Sequence, residues 1–393
     1  MFPVEGPGAA ASGGTVSTAV SDRPRARARD LRDALGDEAR RLGFSGFGVA
    51  TVRPFRRARW RGLQAIAQGR MAGMPWFTPE RVDAAADLRR RHPWARSIVS
   101  LAYPYPPAGG SGTAPPAAQP GRPRGRFAAY ACLDGGAGPT DYHDLLASRC
   151  DALAAWLRAG VPGLRAKRFV DHGWAMDRAV AERAGVGFAG KSASLITPEA
   201  GSYVLLAEVL VSVPLPPTAP SRRECGACRA CLAACPTGAL AAPGVVDATR
   251  CVSYLTIEHR GPIPEELRPL LGVWAFGCDV CQEVCPVNAR LAPPALAPGR
   301  GSTAQGPVPF PDLVECLGLD DAGFAGRFRP TAVWRTGRAG LARNCAVALG
   351  NAGDPLALPA LREAAATDPD EAVRDAARWS AERLSPPPAP RPL

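Results

Sequence analysis

Large apolar residues are sparse over the first 28 positions and then recur at helical spacing, with Leu31, Leu35, Ala39 and Leu42 on one face and Gly43 as the stop. The opening stretch, residues 1–28, has too little apolar surface to bury and is expected to be a disordered tail. Gly46-Phe-Gly-Val-Ala50 reads as a short strand, and Ser97-Ile-Val-Ser-Leu-Ala-Tyr103, apolar almost throughout, as a buried one. Between them, residues 69–77 are loop-like yet apolar. Asp141-Tyr-His143 opens a helix through Leu145, Leu146, Leu153 and Leu157, with Asp141 placed to cap it. Arg168-Phe-Val-Asp171 ends a further strand, residues 177–184 are helical up to Gly185-Val-Gly187, and Leu195-Ile196 and residues 203–213 supply more strand. This alternation predicts an α/β domain over residues 29–213.

Two Pro/Gly-rich breaks divide what remains. Residues 214–220 lead into a cysteine-rich region, 214–292, and residues 292–311 lead out of it. Beyond, residues 341–349 and 357–365 read as an antiparallel helix pair joined by Gly350-Asn-Ala-Gly-Asp-Pro355, and residues 371–384 as a third helix. That period is HEAT-like. So short an all-α array cannot stand alone, so the linker and HEAT-like helical region, residues 293–385, must pack on the rest. Residues 386–393 form a Pro-rich tail. Within the first domain, residues 104–126 are a Pro/Gly-rich connection whose Arg122, Arg124 and Arg126 suit a solvated loop or phosphate contacts.

The chemistry is concentrated in the cysteines. Of twelve, eight lie between Cys225 and Cys285. Cys225, Cys228, Cys231 and Cys235, followed by Pro236, have the C-x2-C-x2-C-x3-C-P spacing of bacterial cubane clusters. Cys278, Cys281 and Cys285, followed by Pro286, repeat its second half, and Cys251 completes the set. In that spacing the fourth cysteine serves the other cluster. One [4Fe-4S] cluster therefore falls to Cys225, Cys228, Cys231 and Cys285, and a second to Cys235, Cys251, Cys278 and Cys281, making residues 214–292 a ferredoxin-like two-cluster domain. Zinc ribbons also use C-x2-C pairs; the x3-Cys-Pro step, present twice, favours iron–sulfur. Cys132, Cys150, Cys316 and Cys345 are scattered and read as ordinary small residues.

Charge adds one possibility. The formal net charge is +11, with Lys only at 167 and 191; eight thiolates and two cluster cores of about +2 each bring it to roughly +7. Arg-rich basicity suits phosphate contacts and a nucleic-acid partner, though a compositional preference for Arg over Lys gives the same count. No apolar run is long enough to span a bilayer, and the first residues lack the basic and apolar regions of a signal peptide. With clusters that need a reducing compartment, a cytoplasmic protein is expected.

The chain resembles the epoxyqueuosine reductases over roughly residues 30–384. The resemblance rests on Glu80-Arg81-Val82, Ala95-Arg-Ser-Ile-Val99, Asp141-Tyr-His143, Val170-Asp-His-Gly173 and Asp177-Arg-Ala-Val-Ala-Glu-Arg-Ala-Gly185. Gly190-Lys191, Pro198-Glu-Ala-Gly-Ser-Tyr203, both cysteine runs, Arg250-Cys-Val-Ser-Tyr-Leu-Thr256 and Arg343-Asn344 extend it. It implies that residues 29–213 are a cobalamin-binding catalytic domain, with electrons passing through the two clusters to the cobalt. It implies reduction of the epoxide of epoxyqueuosine to queuosine at the wobble position of tRNA, with Asp171 as the proton donor. From the residues alone, Asp171 would rather cap the following helix. Cobalamin contacts are implied at Arg81, Ala128, Asp171, Leu195, Leu206, Ser253, Cys278 and Asp279. Arg178 and Lys191 could meet a corrin carboxamide or a phosphate, and His143 could line the pocket. The implied partners are the tRNA anticodon stem-loop and an electron donor such as a flavodoxin or ferredoxin; the implied state is a monomer.

This chain departs from the family pattern in a longer segment between Tyr130 and Asp141, in Gly190-Lys191-Ser192, and at His172 and Trp174. Two other readings keep the cysteines: a cobalamin and iron–sulfur reductase of a small molecule, akin to reductive dehalogenases, and a non-catalytic iron–sulfur RNA-binding or electron-transfer module.

Overall fold

The computed structural model describes residues 19–71, 73–107, 119–134, 138–171, 173–291 and 308–385. The expected tail before residue 19, the 386–393 tail, most of the 292–311 break, the middle of the 104–126 connection, part of the Tyr130–Asp141 segment and His172 lie outside them. The chain runs α1 (Ala19–Arg41), β1 (Gly46–Thr51), α2 (Arg56–Ala67), α3 (Pro79–Ala86), β2 (Ser97–Pro104), β3 (Arg126–Phe127), α4 (Tyr142–Gly160), β4 (Ala166–Phe169), α5 (Asp177–Arg183), β5 (Phe188–Ala189), β6 (Leu195–Ile196) and β7 (Val204–Val211). The cysteine region holds α6 (Ala230–Ala234), β8 (Leu240–Ala242), β9 (Val245–Val246), α7 (Val252–Ile257), β10 (Trp274–Phe276), α8 (Val280–Glu283) and α9 (Pro286–Arg290). The C-terminal helices are α10 (Leu313–Leu317), α11 (Asp321–Phe328), α12 (Gly337–Ala352), α13 (Leu358–Thr367) and α14 (Glu371–Leu384).

Helix α1 begins at Ala19, so residues 19–28 are helical rather than part of a disordered tail. Ala and Arg have high helix propensity, so a segment poor in apolar residues can still extend a helix whose later turns are anchored. Those anchors are Leu35 and Ala39, both buried.

The central sheet has the order β1-β2-β7-β4. Val49 stands opposite Val99, Val99 opposite Val209 and Val209 opposite Arg168. All three pairings are antiparallel, a direction the expected α/β alternation left open. The apolar pattern fixes which face a side chain takes but not strand direction. A connection that re-enters the sheet at the end where it left gives an antiparallel neighbour.

Alternation then assigns the two faces. Val49, Val99 and Val209 join Leu35, Leu146, Leu153 and Leu157 of α1 and α4 in one core. Ile98, Leu210 and Phe169 join Val180, Ala181 and Ala184 of α5 in the other. Helix α5 lies so close to β1 that a Cβ on Gly48 would sit 2.0 Å from the Ala184 carbonyl oxygen.

The C-terminal helices back the cysteine region. Every residue of α12 from Leu341 to Gly350 is buried, so this helix is covered on all sides. Two of those residues are polar, and both are spent on distant backbone. The Arg343 guanidinium donates to the carbonyls of His259 (3.0 Å), Gly261 (2.6 Å) and Leu255 (2.8 Å). Asn344 Nδ2 donates to Thr256 (2.8 Å) and Ala275 (2.9 Å). Arg343→Met is therefore expected to cost about 3–5 kcal/mol of stability, read from the urea unfolding midpoint, because it strands buried carbonyls. A shift within experimental error would remove this clamp from the account.

Candidate functional site

Asp171 stands just past the end of β4, in the left-handed region at φ 49°. It is one of two non-glycine residues with positive φ among those described, and Asp tolerates that region better than most. It does not cap the next helix, because the N-cap of α5 is Met176. The capping role that residue type alone would assign it is thus excluded. Its side chain is 62% exposed, so the protein by itself does not bury this carboxyl. Desolvation there must come from whatever docks against it.

Two side chains reach Asp171, and a further pair braces one of them. The Tyr142 hydroxyl donates to Asp171 Oδ2. His143 Nε2 lies 3.6 Å from the same oxygen, too long for a direct hydrogen bond. His143 Nδ1 lies 3.0 Å from Asp141 Oδ1, and Arg335 Nη2 donates to Asp141 Oδ1 and Oδ2 at 2.8 and 2.6 Å. Asp141 is also the expected N-cap of α4, accepting from the His143 amide. Burial would raise its pKa, but hydrogen bonds from His143 and Arg335 overcome that and hold the carboxyl down at about 2. Tyr142 is driven the other way, first by burial and then by the negative Asp171, and stays a phenol. A fixed carboxylate thus orients an imidazole, and a phenol hydroxyl orients the exposed acid.

The loop after Asp171 is clasped from α3. Arg81 Nη2 donates to the Gly173 carbonyl at 3.0 Å, and its guanidinium lies between the rings of Trp76 (5.0 Å) and Trp174 (5.2 Å). Arg91 stacks on Trp174 at 4.0 Å. Such cation–π contacts help hold a guanidinium in one place.

Aromatic rings lead from this corner toward the cysteines. Tyr130 meets Tyr142 edge-on at 5.7 Å and Phe276 at 5.8 Å. Strand β10 pairs in parallel with β3, and Ala128 N donates to Phe276 O at 2.8 Å. Asp279, only 2% exposed, accepts from Ala129 N at 2.7 Å and from Gln282 Nε2 at 2.8 Å. A Cβ on Gly277 would lie 2.5 Å from the Ala128 Cβ. The segments just past β3 and β10, which carry Ala128 and Cys278-Asp279, are therefore tied together, with Tyr130 between Phe276 and the Asp171 corner. Arg81 reaches the Asp171 loop. Leu195 and Leu206 belong to the packing around α5, and Ser253 opens α7. No hydrogen bond among the described residues ties these last three to Asp171.

The thiols gather by set. Cys231 feels the charges of Cys225 and Cys228. Cys251, Cys278, Cys281 and Cys235 interact with one another, and Cys281 also with Cys231, which places the two sets side by side. Cys285 caps α9, directly after α8, which packs on α6. Burial, with added repulsion between thiols, pushes Cys281 up to about 12 and Cys278 higher still. Eight thiols in two adjoining sets are a donor set that fits two iron–sulfur clusters. Among the described residues no group of three or more closes on a single metal ion.

Sequence reasoning left Arg178 and Lys191 open; both serve the fold. Arg178 donates to the Ala193 carbonyl. Lys191 Nζ donates to the carbonyls of Gly226 (2.5 Å) and Cys228 (2.8 Å), tying the α/β half to the first cysteine loop. It missed Tyr142, Tyr130 and Arg335. Tyr142 was visible inside Asp-Tyr-His, which opens a helix and carries part of the resemblance, but neither reading gives the tyrosine a role. Arg335 carries no local signal, because its partner Asp141 is 194 residues away.

The chain is similar to known proteins in sequence and in fold. The family model described as "Epoxyqueuosine reductase QueG, DUF1730" matches residues 86–172, and that described as "4Fe-4S double cluster binding domain" matches residues 224–288. The chain is 34% identical to an epoxyqueuosine reductase of Bacillus subtilis over 91% of this chain and 88% of that one. It is 36% identical to one of Pseudomonas aeruginosa over 90% and 94%. A crystal structure of an epoxyqueuosine reductase with an epoxyqueuosine-modified tRNA-Tyr stem loop superposes with a TM-score of 0.81 at 34% identity, covering 90% of each chain. The Streptococcus thermophilus epoxyqueuosine reductase superposes equally well, with a TM-score of 0.81 at 27% identity over 91% and 92% of the two chains.

Proposed function

We propose, from the premise that this chain belongs to the epoxyqueuosine reductase family of oxidoreductases, that it reduces epoxyqueuosine to queuosine at the wobble position of tRNA. The observation that carries the proposal is the exposed Asp171 carboxyl, oriented by Tyr142 and set beside His143. That corner connects through Tyr130 to Phe276, just ahead of Cys278 and Asp279.

A bound cobalamin would supply low-valent cobalt as the source of the electron pair, fed by two [4Fe-4S] clusters on the eight thiols. Arg81, Ala128, Asp171, Leu195, Leu206, Ser253, Cys278 and Asp279 would hold it. Asp171 gives its proton to the epoxide oxygen as the C–O bond breaks. Tyr142 keeps that carboxyl aimed, and Arg335 with Asp141 fixes the imidazole beside it. Docked tRNA shields Asp171 from bulk water, so that its proton goes to the epoxide rather than to solvent.

The proposal includes a short HEAT-like helical region behind the clusters, a monomeric cytoplasmic protein, and an electron donor of the flavodoxin or ferredoxin kind. No described helix is long and apolar enough to cross a membrane. For the tRNA contact, Trp60, Trp76 and Trp334 are exposed enough to stack on unpaired bases. Arg329 lies over Trp334 at 5.2 Å. Stem-loop affinity is expected to fall about 10²-fold between about 50 and 200 mM salt if some four phosphates are neutralised. An affinity flat in salt contradicts a phosphate-led interface.

The test is genetic. A bacterial strain lacking the gene should accumulate epoxyqueuosine in its tRNA, and restoring the gene should return queuosine. Unchanged nucleosides in both strains would overturn the proposal.

A further inference from the structure

Turning an epoxide into an alkene takes two protons along with the electron pair. One goes to oxygen as the ring C–O bond opens, and the other goes to the resulting hydroxyl as the second C–O bond breaks and water leaves. Asp171 carries one proton at a time. The fold holds a second carboxylic site behind it.

Glu208 lies in the middle of β7, with no exposed surface, opposite Ser100 of β2 and Phe169 of β4. Neither of its carboxyl oxygens finds a donor among the described residues, and Ser100 Oγ beside it is likewise buried and without a partner. Helix α5 packs on β7, and the carboxyl of Asp177 in its first turn is the group that acts most on Glu208 after burial. Two carboxylates facing each other are acceptor against acceptor. The contact becomes a hydrogen bond only when one of them carries a proton. Both also feel the charge of Asp171.

The surroundings do little to ionise the pair. Arg178 is the nearby cation on α5, and its guanidinium is engaged by the Ala193 carbonyl. Lys167 of β4 stands opposite Leu210, one step along the same face as Phe169. β1 and β2 contribute no charged side chain. On α4 the neighbour is the buried thiol of Cys150. Burial raises the pKa of both carboxyls, that of Glu208 furthest.

We propose that Asp177 and Glu208 share one proton and form the reservoir that reprotonates Asp171 for the water-releasing half of the reaction. They are positioning residues that act through Asp171 and do not touch the substrate. The inference rests on the proposed reduction, which supplies the electron pair. The proton moves from the pair to the Asp171 carboxylate, leaving the pair with one negative charge, and bulk water restores it after product leaves.

The test uses the reconstituted full chain in two measurements. Infrared spectroscopy at neutral pH should show one deuterium-sensitive C=O band of a protonated carboxylic acid. That band should vanish in Glu208→Gln, shift in frequency in Asp177→Asn as its hydrogen-bond partner changes, and persist unshifted in Asp171→Asn. Absence of the band, or its loss only in Asp171→Asn, overturns the proposal. Turnover of an epoxyqueuosine stem-loop should then fall about 10²-fold in Glu208→Gln, with unchanged stem-loop affinity and a steeper decline toward alkaline pH. Asp177→Glu, which keeps a carboxyl, should retain both band and turnover. Wild-type turnover in Glu208→Gln overturns the relay. A variant that fails to fold is recognised by lost iron, and the band of the unsubstituted protein then decides alone. If the unsubstituted protein shows the band but converts no stem-loop, the reduction fails and the proton-sharing pair stands.

Discussion

Asp171→Asn is expected to lower turnover by about 10²–10⁴-fold, the usual worth of a positioned acid, while stem-loop affinity and iron content stay at wild-type levels. Asn is nearly isosteric and can still accept the Tyr142 hydroxyl. It also tolerates the left-handed backbone at this position. The exposed side chain contributes little to packing. What is removed is the proton and the negative charge, with the shape of the side chain kept. Single-turnover kinetics with the stem-loop separates this from a binding defect, since the loss should fall on the chemical step. A variant that turns over normally would dismiss Asp171 as the acid and leave the Tyr142–His143 corner without a reactive centre.

The second large effect is expected at Cys278. Cys278→Ser should reduce bound iron from about eight to about four atoms per chain and bring turnover driven by a protein donor below detection. The loss reaches beyond electron flow. Cys278 precedes Asp279, whose carboxyl holds the Ala129 amide, and it follows Gly277, whose amide donates to Thr256 Oγ1 at 2.9 Å. Losing the cluster there frees the segment that joins β10 to the α/β half. Iron quantification together with visible absorbance reads the effect. A serine variant that keeps its full iron would place Cys278 outside the ligand set.

What the sequence discloses follows from how local each signal is. The cysteine runs are legible because cluster ligands must sit two or three residues apart on a tight loop, a constraint that survives in spacing alone. The Asp141 cap, the 371–384 helix and the stop at Gly185 were legible for the same reason, each being set by neighbours within a turn. Strand direction was not, because alternation marks faces and carries no polarity. The beginning of α1 was missed because absence of apolar residues was taken for absence of helix. Arg343 illustrates the long-range limit: its donors satisfy carbonyls more than eighty residues away, and nothing nearby marks it as buried. Asp171 is a mixed case. Family likeness picked it out, while residue type alone pointed to a helix cap, a role that Met176 takes instead.

The same contrast explains the layout of the site. Its two halves, the corner at Asp171 and the thiols, come from segments joined by β3 with β10 and by Arg335 with Asp141. Those joins place the C-terminal helices behind both halves, so cluster loss and acid loss should be separable in kinetics but coupled in stability.

The most direct measurement is nucleoside mass spectrometry after anaerobic incubation of the full chain, loaded with iron, sulfide and cobalamin and given reductant, with a tRNA anticodon stem-loop bearing epoxyqueuosine. The account predicts a product lighter by one oxygen atom, queuosine, formed in repeated turnovers. A fully loaded protein that leaves the epoxide nucleoside unchanged would contradict it.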